Sequence, residues 1–211
     1  MIVLGLTGSI GMGKTATARL FAEAGVPVWE ADRTVHDLYA PGGAAVGPVG
    51  EAFPYAIVDG AVDRKRLSAL LHAQAGAFER LEAIVHPLVQ ANRALFLQAN
   101  ASAPVAVLDI PLLFETGADA LVDAVAVVSA PEALQRTRVL ERPGMDEATL
   151  AALLERQTPH AEKLERADFV VDTAHGFDVA RDQVRTILGT VTAPDFRPRR
   201  NKLDARGEPP Q

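Results

Sequence analysis

The stretch "GLTGSIGMGKT" at residues 5–15 restricts this chain more than any other feature. It fits G-x-x-x-x-G-K-[ST] from Gly8 to Thr15, with an apolar run (Ile2 to Thr7) before it and a helical pattern (Lys14 to Ala24) after it. Strand, glycine turn and helix in that order make a cradle for phosphate. Backbone N–H groups hold the β-phosphate, Lys14 spans the β- and γ-phosphates, and the Thr15 hydroxyl ligates Mg²⁺. The helix start directs its positive dipole end at the same anion. The expected nucleotide contacts are Gly8, Gly11, Met12, Gly13, Lys14, Thr15 and Ala16.

Four more valine-rich runs resemble the first, at residues 26–29, 104–110, 123–128 and 167–172, with helical patterns at 131–141, 146–157 and 177–188. Repeated strand–helix–strand units predict an α/β fold: a five-stranded parallel sheet with helices on both faces. The spacing is uneven. Residues 30–103 hold no valine-rich strand, only helical periodicity, and are read as a helical insertion at about 41–102, with Asp63 as an N-cap and Pro87 in a first helical turn. "LERPGM" breaks a later helix and predicts a lid at about 138–148, with Asp146 capping the next helix. The expected organisation is one domain over 1–190, its core at 1–40 and 103–190, and a mobile tail at 191–211.

Composition narrows the function classes. A chain of 211 residues with 48% hydrophobic and 23% charged residues has enough apolar content for a buried core. The net charge of −6 argues against broad nucleic-acid binding, so polyanionic ligands must meet a local basic cluster. There are no cysteines, which excludes disulfides and thiolate chemistry. No leader pattern or membrane-length apolar run occurs, and a cytoplasmic protein without membrane partners is expected.

The phosphate loop leaves open whether the phosphoryl group is transferred, hydrolysed for work or held as a switch. "NKLD" at 201–204 and "DARG" at 204–207 look like switch motifs, but they overlap in a proline-rich tail instead of following buried strands. Asp109, after the apolar "VAVL", is placed as a Mg²⁺-side carboxylate or a turn cap, and no second acid adjoins it to polarise water as in a motor ATPase. The informative segment is "WEADR". Asp32 follows the second strand, at the end where open parallel sheets bind ligands. It can take the proton of an attacking hydroxyl, hold the Mg²⁺ water shell, or cap the helix beginning near Arg33. This is the layout of a small-molecule kinase.

Read together, "GLTGSIGMGKT", "EADR", "VDRKRL", "LEAIVHPLV", "LDIPLLFE", "RTRVLERPGM" and "ADFVVDT" resemble, in order and spacing from residue 2 to about 190, the dephospho-CoA kinase family of P-loop kinases. The resemblance implies ATP as co-substrate with Mg²⁺, and phosphorylation of the ribose 3′-hydroxyl of dephospho-CoA as the reaction. It implies that Lys14 and Thr15 serve ATP and Mg²⁺, that Asp32 is the base, and that Arg142 is a lid arginine on the moving phosphoryl group. Arg64 and His86 would fall where the family holds the CoA moiety, and Arg138 and Asp109 join the substrate contacts. Arg64 can equally be a surface charge, and of Arg136 and Arg138, two apart on a helix, one is expected to point to solvent. Glu30, Ser9 and Thr173 depart from residues common in the family. The nearest rival is a kinase of another small hydroxyl compound of the shikimate or gluconate type, and a nucleotide-binding regulator without chemistry is the rival from another class.

Overall fold

The computed structural model describes residues 1–198. It divides into two compact units, one formed by Met1–Trp29 with the chain from Asn100 onward, the other by Glu30–Ala99. The two switch-like tail motifs lie outside the described residues.

In the first unit a sheet runs in the order β2-β5-β1-β6-β7, with β1 at Ile2–Thr7, β2 at Val28–Glu30, β5 at Val105–Asp109, β6 at Ala124–Ser129 and β7 at Phe169–Asp172. β1 pairs in parallel with β5 on one side and β6 on the other, and β6 pairs in parallel with β7. β5 is buried along its whole length and β6 through Val128, which explains continuous valine instead of alternation: both faces of the sheet are covered. Helix α1 (Lys14–Glu23) contributes Leu20 and Phe21 to this core. The last helix among the described residues, α9 (Phe177–Val191), contributes Ala180, Val184, Ile187 and Val191, a single stripe at helical spacing. The expected tail begins within this packed region. α9 runs to Val191, and Phe196 packs against the same core.

Strands β6 and β7 start one or two residues later than their apolar runs because aspartates stand at their entrances. Asp123 Oδ2 accepts from Val3 N–H at 2.8 Å and Asp168 Oδ2 from Val125 N–H at 2.9 Å, satisfying amides at the sheet's end with carboxylates.

The second unit has its own core, including Leu38, Val49, Phe53, Leu67, Leu71 and Val85. Its helices are α2 (Ala31–Tyr39), α3 (Val46–Ala52), α4 (Arg64–Ala73) and α5 (Ala77–Ala99). It is not purely helical. β3 (Ile57–Val58) and β4 (Ala61–Val62) form a hairpin over Asp59-Gly60, both at positive φ (49° and 75°), as a tight two-residue turn demands. Asp63 caps α4 as expected, accepting from Arg66 N–H at 2.8 Å. Pro87 does not start a helix but sits inside α5. An interior proline costs about 3 kcal/mol. Leu81, Ile84, Val85, Leu88 and Val89 on both sides of it pack on the unit's core, and this burial keeps the helix continuous.

Around the expected lid, α6 spans Glu132–Leu140 and α7 spans Glu147–Glu155. Asp146 caps α7 through Thr149 N–H at 2.7 Å, and that contact holds its carboxyl below the usual range. A helix not expected from the pattern, α8 (His160–Glu165), follows. It brings Lys163, fully buried, 2.8 Å from Glu115 Oε1, which also accepts from Thr158 N–H at 2.8 Å. Burial by itself would raise the Glu115 carboxyl, but Lys163 and the surrounding hydrogen bonds more than offset it and hold the group below its ordinary range. A lowered folded-state pKa stabilises the fold above the unfolded value, and that contribution is lost as pH falls through the folded one. Glu115→Gln, which strands the Lys163 charge, is expected to cost about 3 kcal/mol in urea unfolding at neutral pH. A loss below a few tenths of that would remove the pair from the stability argument. Among the described residues no helix is long and apolar enough to cross a membrane.

Candidate active site

From β1 the chain runs through α1 to β2 on one side of the sheet, and from its neighbour β6 it runs to β7 on the other, so the connections diverge at the carboxyl ends of these two strands and a crevice opens there. The glycine loop occupies this point, between Thr7 and Lys14. Gly13 precedes α1 at φ 94° and supplies no capping side chain, so the first amides of the helix have no carbonyl partner of their own and are turned to whatever the loop holds. Gly11 is held even more tightly. Its φ is 79°, and a Cβ there would come within 2.5 Å of Val139 Cγ2 and 3.0 Å of the Gln135 carbonyl on α6. Gly11→Ala is therefore expected to destabilise by about 2 kcal/mol or more and to weaken nucleotide binding, read by urea unfolding and calorimetry. Met12 is buried, and its sulfur accepts from Ala130 N–H at 3.2 Å, fixing the loop against the end of β6.

Register places Asp109 opposite Leu6, at the mouth of the crevice. Its side chain, 4% exposed, ion-pairs with Lys14 Nζ. Asp109 is thus neither a simple turn cap nor remote from the loop. Thr15 is exposed at the first turn of α1.

Beside the loop lies a cavity of about 350 Å³ lined by Gly13, Ala16, Leu134, Arg138, Thr173 and Phe177 among others. Arg138 donates from Nη1 to Thr173 Oγ1 at 2.9 Å and from Nη2 to the Thr173 carbonyl at 2.8 Å. The Thr173 hydroxyl in turn donates to the Met12 carbonyl at 2.8 Å. The residue that departs from the family pattern therefore ties Arg138 to the loop. Of the two neighbouring arginines, Arg136 is the solvated one, paired with exposed Glu147 at 2.6 Å. Such a surface pair contributes little to stability. Arg142 is exposed in the turn between α6 and α7, followed by Gly144 at φ 77°.

The remaining expected residues belong to the second unit. α2 begins at Ala31 with Glu30 in the N-cap position, so Asp32 lies inside the first turn, exposed, and is not the cap of a helix near Arg33. Arg64, in the first turn of α4, places its guanidinium 5.7 Å from the centre of the Tyr39 ring. Burial raises the Tyr39 hydroxyl above its ordinary pKa, an effect Arg64 reduces. His86 is exposed in mid-α5. Seven residues on, Arg93 lies on the same helix face, half-buried, and burial lowers its pKa. Sequence reading missed Arg93. Its only signal was the i, i+7 spacing from His86.

A family model for dephospho-CoA kinase matches residues 2–178. A dephospho-CoA kinase of Rhodopseudomonas palustris (strain BisB18) is 57% identical over 190 residues, covering 89% of this chain and 94% of the relative. One of Mesorhizobium japonicum is 55% identical over 190 residues, covering 89% and 95%. Among solved structures, a protein of Thermus thermophilus superposes with a TM-score of 0.75 at 31% identity, covering 89% of this chain and 96% of that one. A dephospho-CoA kinase of Campylobacter jejuni, at a TM-score of 0.61 and 20% identity over 90% and 96%, shares the fold. With the glycine loop, the Lys14–Asp109 pair and a match running nearly the whole length of its relatives, the chain belongs to the dephospho-CoA kinase family.

Proposed function

We propose that this chain transfers the γ-phosphoryl group of ATP to the ribose 3′-hydroxyl of dephospho-CoA, giving coenzyme A and ADP. The observation that carries the reading is the buried Asp109 carboxylate paired with Lys14 at the open start of α1, in a chain whose relatives bear this name. The Asp109 pair holds the ammonium of Lys14 beside the loop, within reach of the β- and γ-phosphates. The cavity bounded by Leu134, Arg138 and Phe177 takes the nucleobase, a planar group suited to an arginine plane and an aromatic ring. Arg138 is accordingly reassigned to the nucleotide side.

Thr15 and Asp109 offer hard oxygen donors that fit the Mg²⁺ carried by ATP. When bound, that ion neutralises charge between the β- and γ-phosphates. Asp32 receives the proton of the 3′-hydroxyl as its oxygen bonds to the γ-phosphorus and the bond from that phosphorus to the bridging oxygen breaks. Arg142, on an exposed turn, supplies positive charge to the equatorial oxygens. Arg64, His86 and Arg93 are assigned to the acceptor, whose phosphates would give the half-buried Arg93 a counter-charge.

The experiment is incubation with Mg-ATP and dephospho-CoA, followed by mass measurement and phosphorus NMR. A 3′-phosphate signal with a matching mass increase is expected. Folded protein that binds ATP but yields no CoA would end the assignment of this acceptor.

A further inference from the structure

One residue of the phosphate loop is gripped from two sides. Gln135 of α6 donates from Nε2 to the Ile10 carbonyl at 2.7 Å, and Gln157, two residues beyond α7, accepts at Oε1 from the Ile10 N–H at 3.3 Å. Both partners are backbone groups of fixed polarity, so each side-chain amide has only one orientation that bonds. α6 and α7 stand on either side of the turn that carries Arg142. The segment from Gln135 to Gln157, which contains both helices and the turn between them, is therefore fastened near each of its ends to the same loop residue. Gln135 is 5% exposed, and its backbone carbonyl also bounds the space left open by Gly11. The next residues, Gly11 to Gly13, include two glycines at positive φ and have little stiffness of their own.

We propose that Gln135 and Gln157 are positioning residues: by fixing both polar groups of Ile10 they set the aim of the amides from Gly11 to Lys14, and they transmit the placement of the Arg142 turn to the loop. The inference rests on the loop's binding ATP, not on the identity of the acceptor.

Its distinguishing mark is an asymmetry. Gln→Glu at 157 keeps the acceptor that Ile10 N–H needs, whereas Gln→Glu at 135 sets a carboxylate against a carbonyl. Both changes add a charge beside the same residue, but Gln135 is buried and Gln157 only half-buried, so the uncharged variants Gln135→Met and Gln157→Leu separate loss of the hydrogen bond from a charge effect. ATP dissociation constants measured by calorimetry without acceptor are expected to rise about tenfold for Gln135→Glu and Gln157→Leu, and to stay within about twofold for Gln157→Glu. Should Gln135→Glu not fold, Gln135→Met removes the donor without a buried charge and carries the same expectation. In the double variant Gln135→Met with Gln157→Leu, the losses should fall well short of multiplying, because both act through one residue. Equal weakening by the two glutamate variants, or wild-type affinity in Gln157→Leu, overturns the clamp. If the chain makes no CoA, the acceptor assignment fails while these ATP affinities still decide the clamp.

Discussion

Asp32→Asn is expected to lower turnover by roughly 10²–10⁴ while ATP affinity stays at its wild-type value. Asparagine keeps the shape of the carboxylate and one acceptor oxygen but cannot take the proton from the acceptor hydroxyl. Fold stability should change by less than about 0.5 kcal/mol, since Asp32 is exposed and Glu30, not Asp32, holds the N-cap position of α2. The check is steady-state turnover beside calorimetric ATP binding and a thermal scan. Turnover near wild type would take the base role away from Asp32. A parallel fall in ATP affinity would instead move the residue to the metal shell.

Lys14→Met combines a chemical and a structural loss, and the two can be separated. Methionine retains most of the chain length and none of the charge, so turnover should fall by about 10²–10³, the range for removing one preorganised positive donor from a developing charge. Asp109, at 3% exposed, also loses this cation, and stability should drop by up to about 3 kcal/mol. Adding Asp109→Asn to the same chain should restore most of the stability and none of the turnover. If the double variant remains as unstable as the single one, the ion pair is not what holds β5 and the loop together.

What could be read from sequence was what is decided locally. The glycine loop declares itself in eight residues, and the caps at Asp63 and Asp146 act on amides three positions away. The valine runs at β5 and β6 mark strands because both faces of the sheet are covered there. Other features depend on partners far along the chain. Which of Arg136 and Arg138 faces inward is set by Thr173, 35 positions from Arg138, and the grip on Ile10 spans 125 and 147 positions. Pro87 reads locally as the start of a helix, and core packing instead keeps one continuous helix through it. The β3–β4 hairpin was legible in principle: "IVDGAV" holds Asp-Gly between apolar pairs, but strands of two residues give too little alternation to compete with the helical periodicity around them. α8 is one turn and a half of helix, too short for a period to show.

The strand order also sets a schedule for synthesis. β1 leaves the ribosome before the other strands of its sheet, yet its neighbours there are β5 and β6, and Ile2 must wait for Val105 before it has a strand to pair with. The Glu30–Ala99 unit, continuous in the chain and with its own core, emerges in full during that wait. Nucleotide binding should therefore arise late and abruptly as nascent chains lengthen: stalled chains exposing residues only as far as 100 would carry an intact glycine motif with no sheet to hold it.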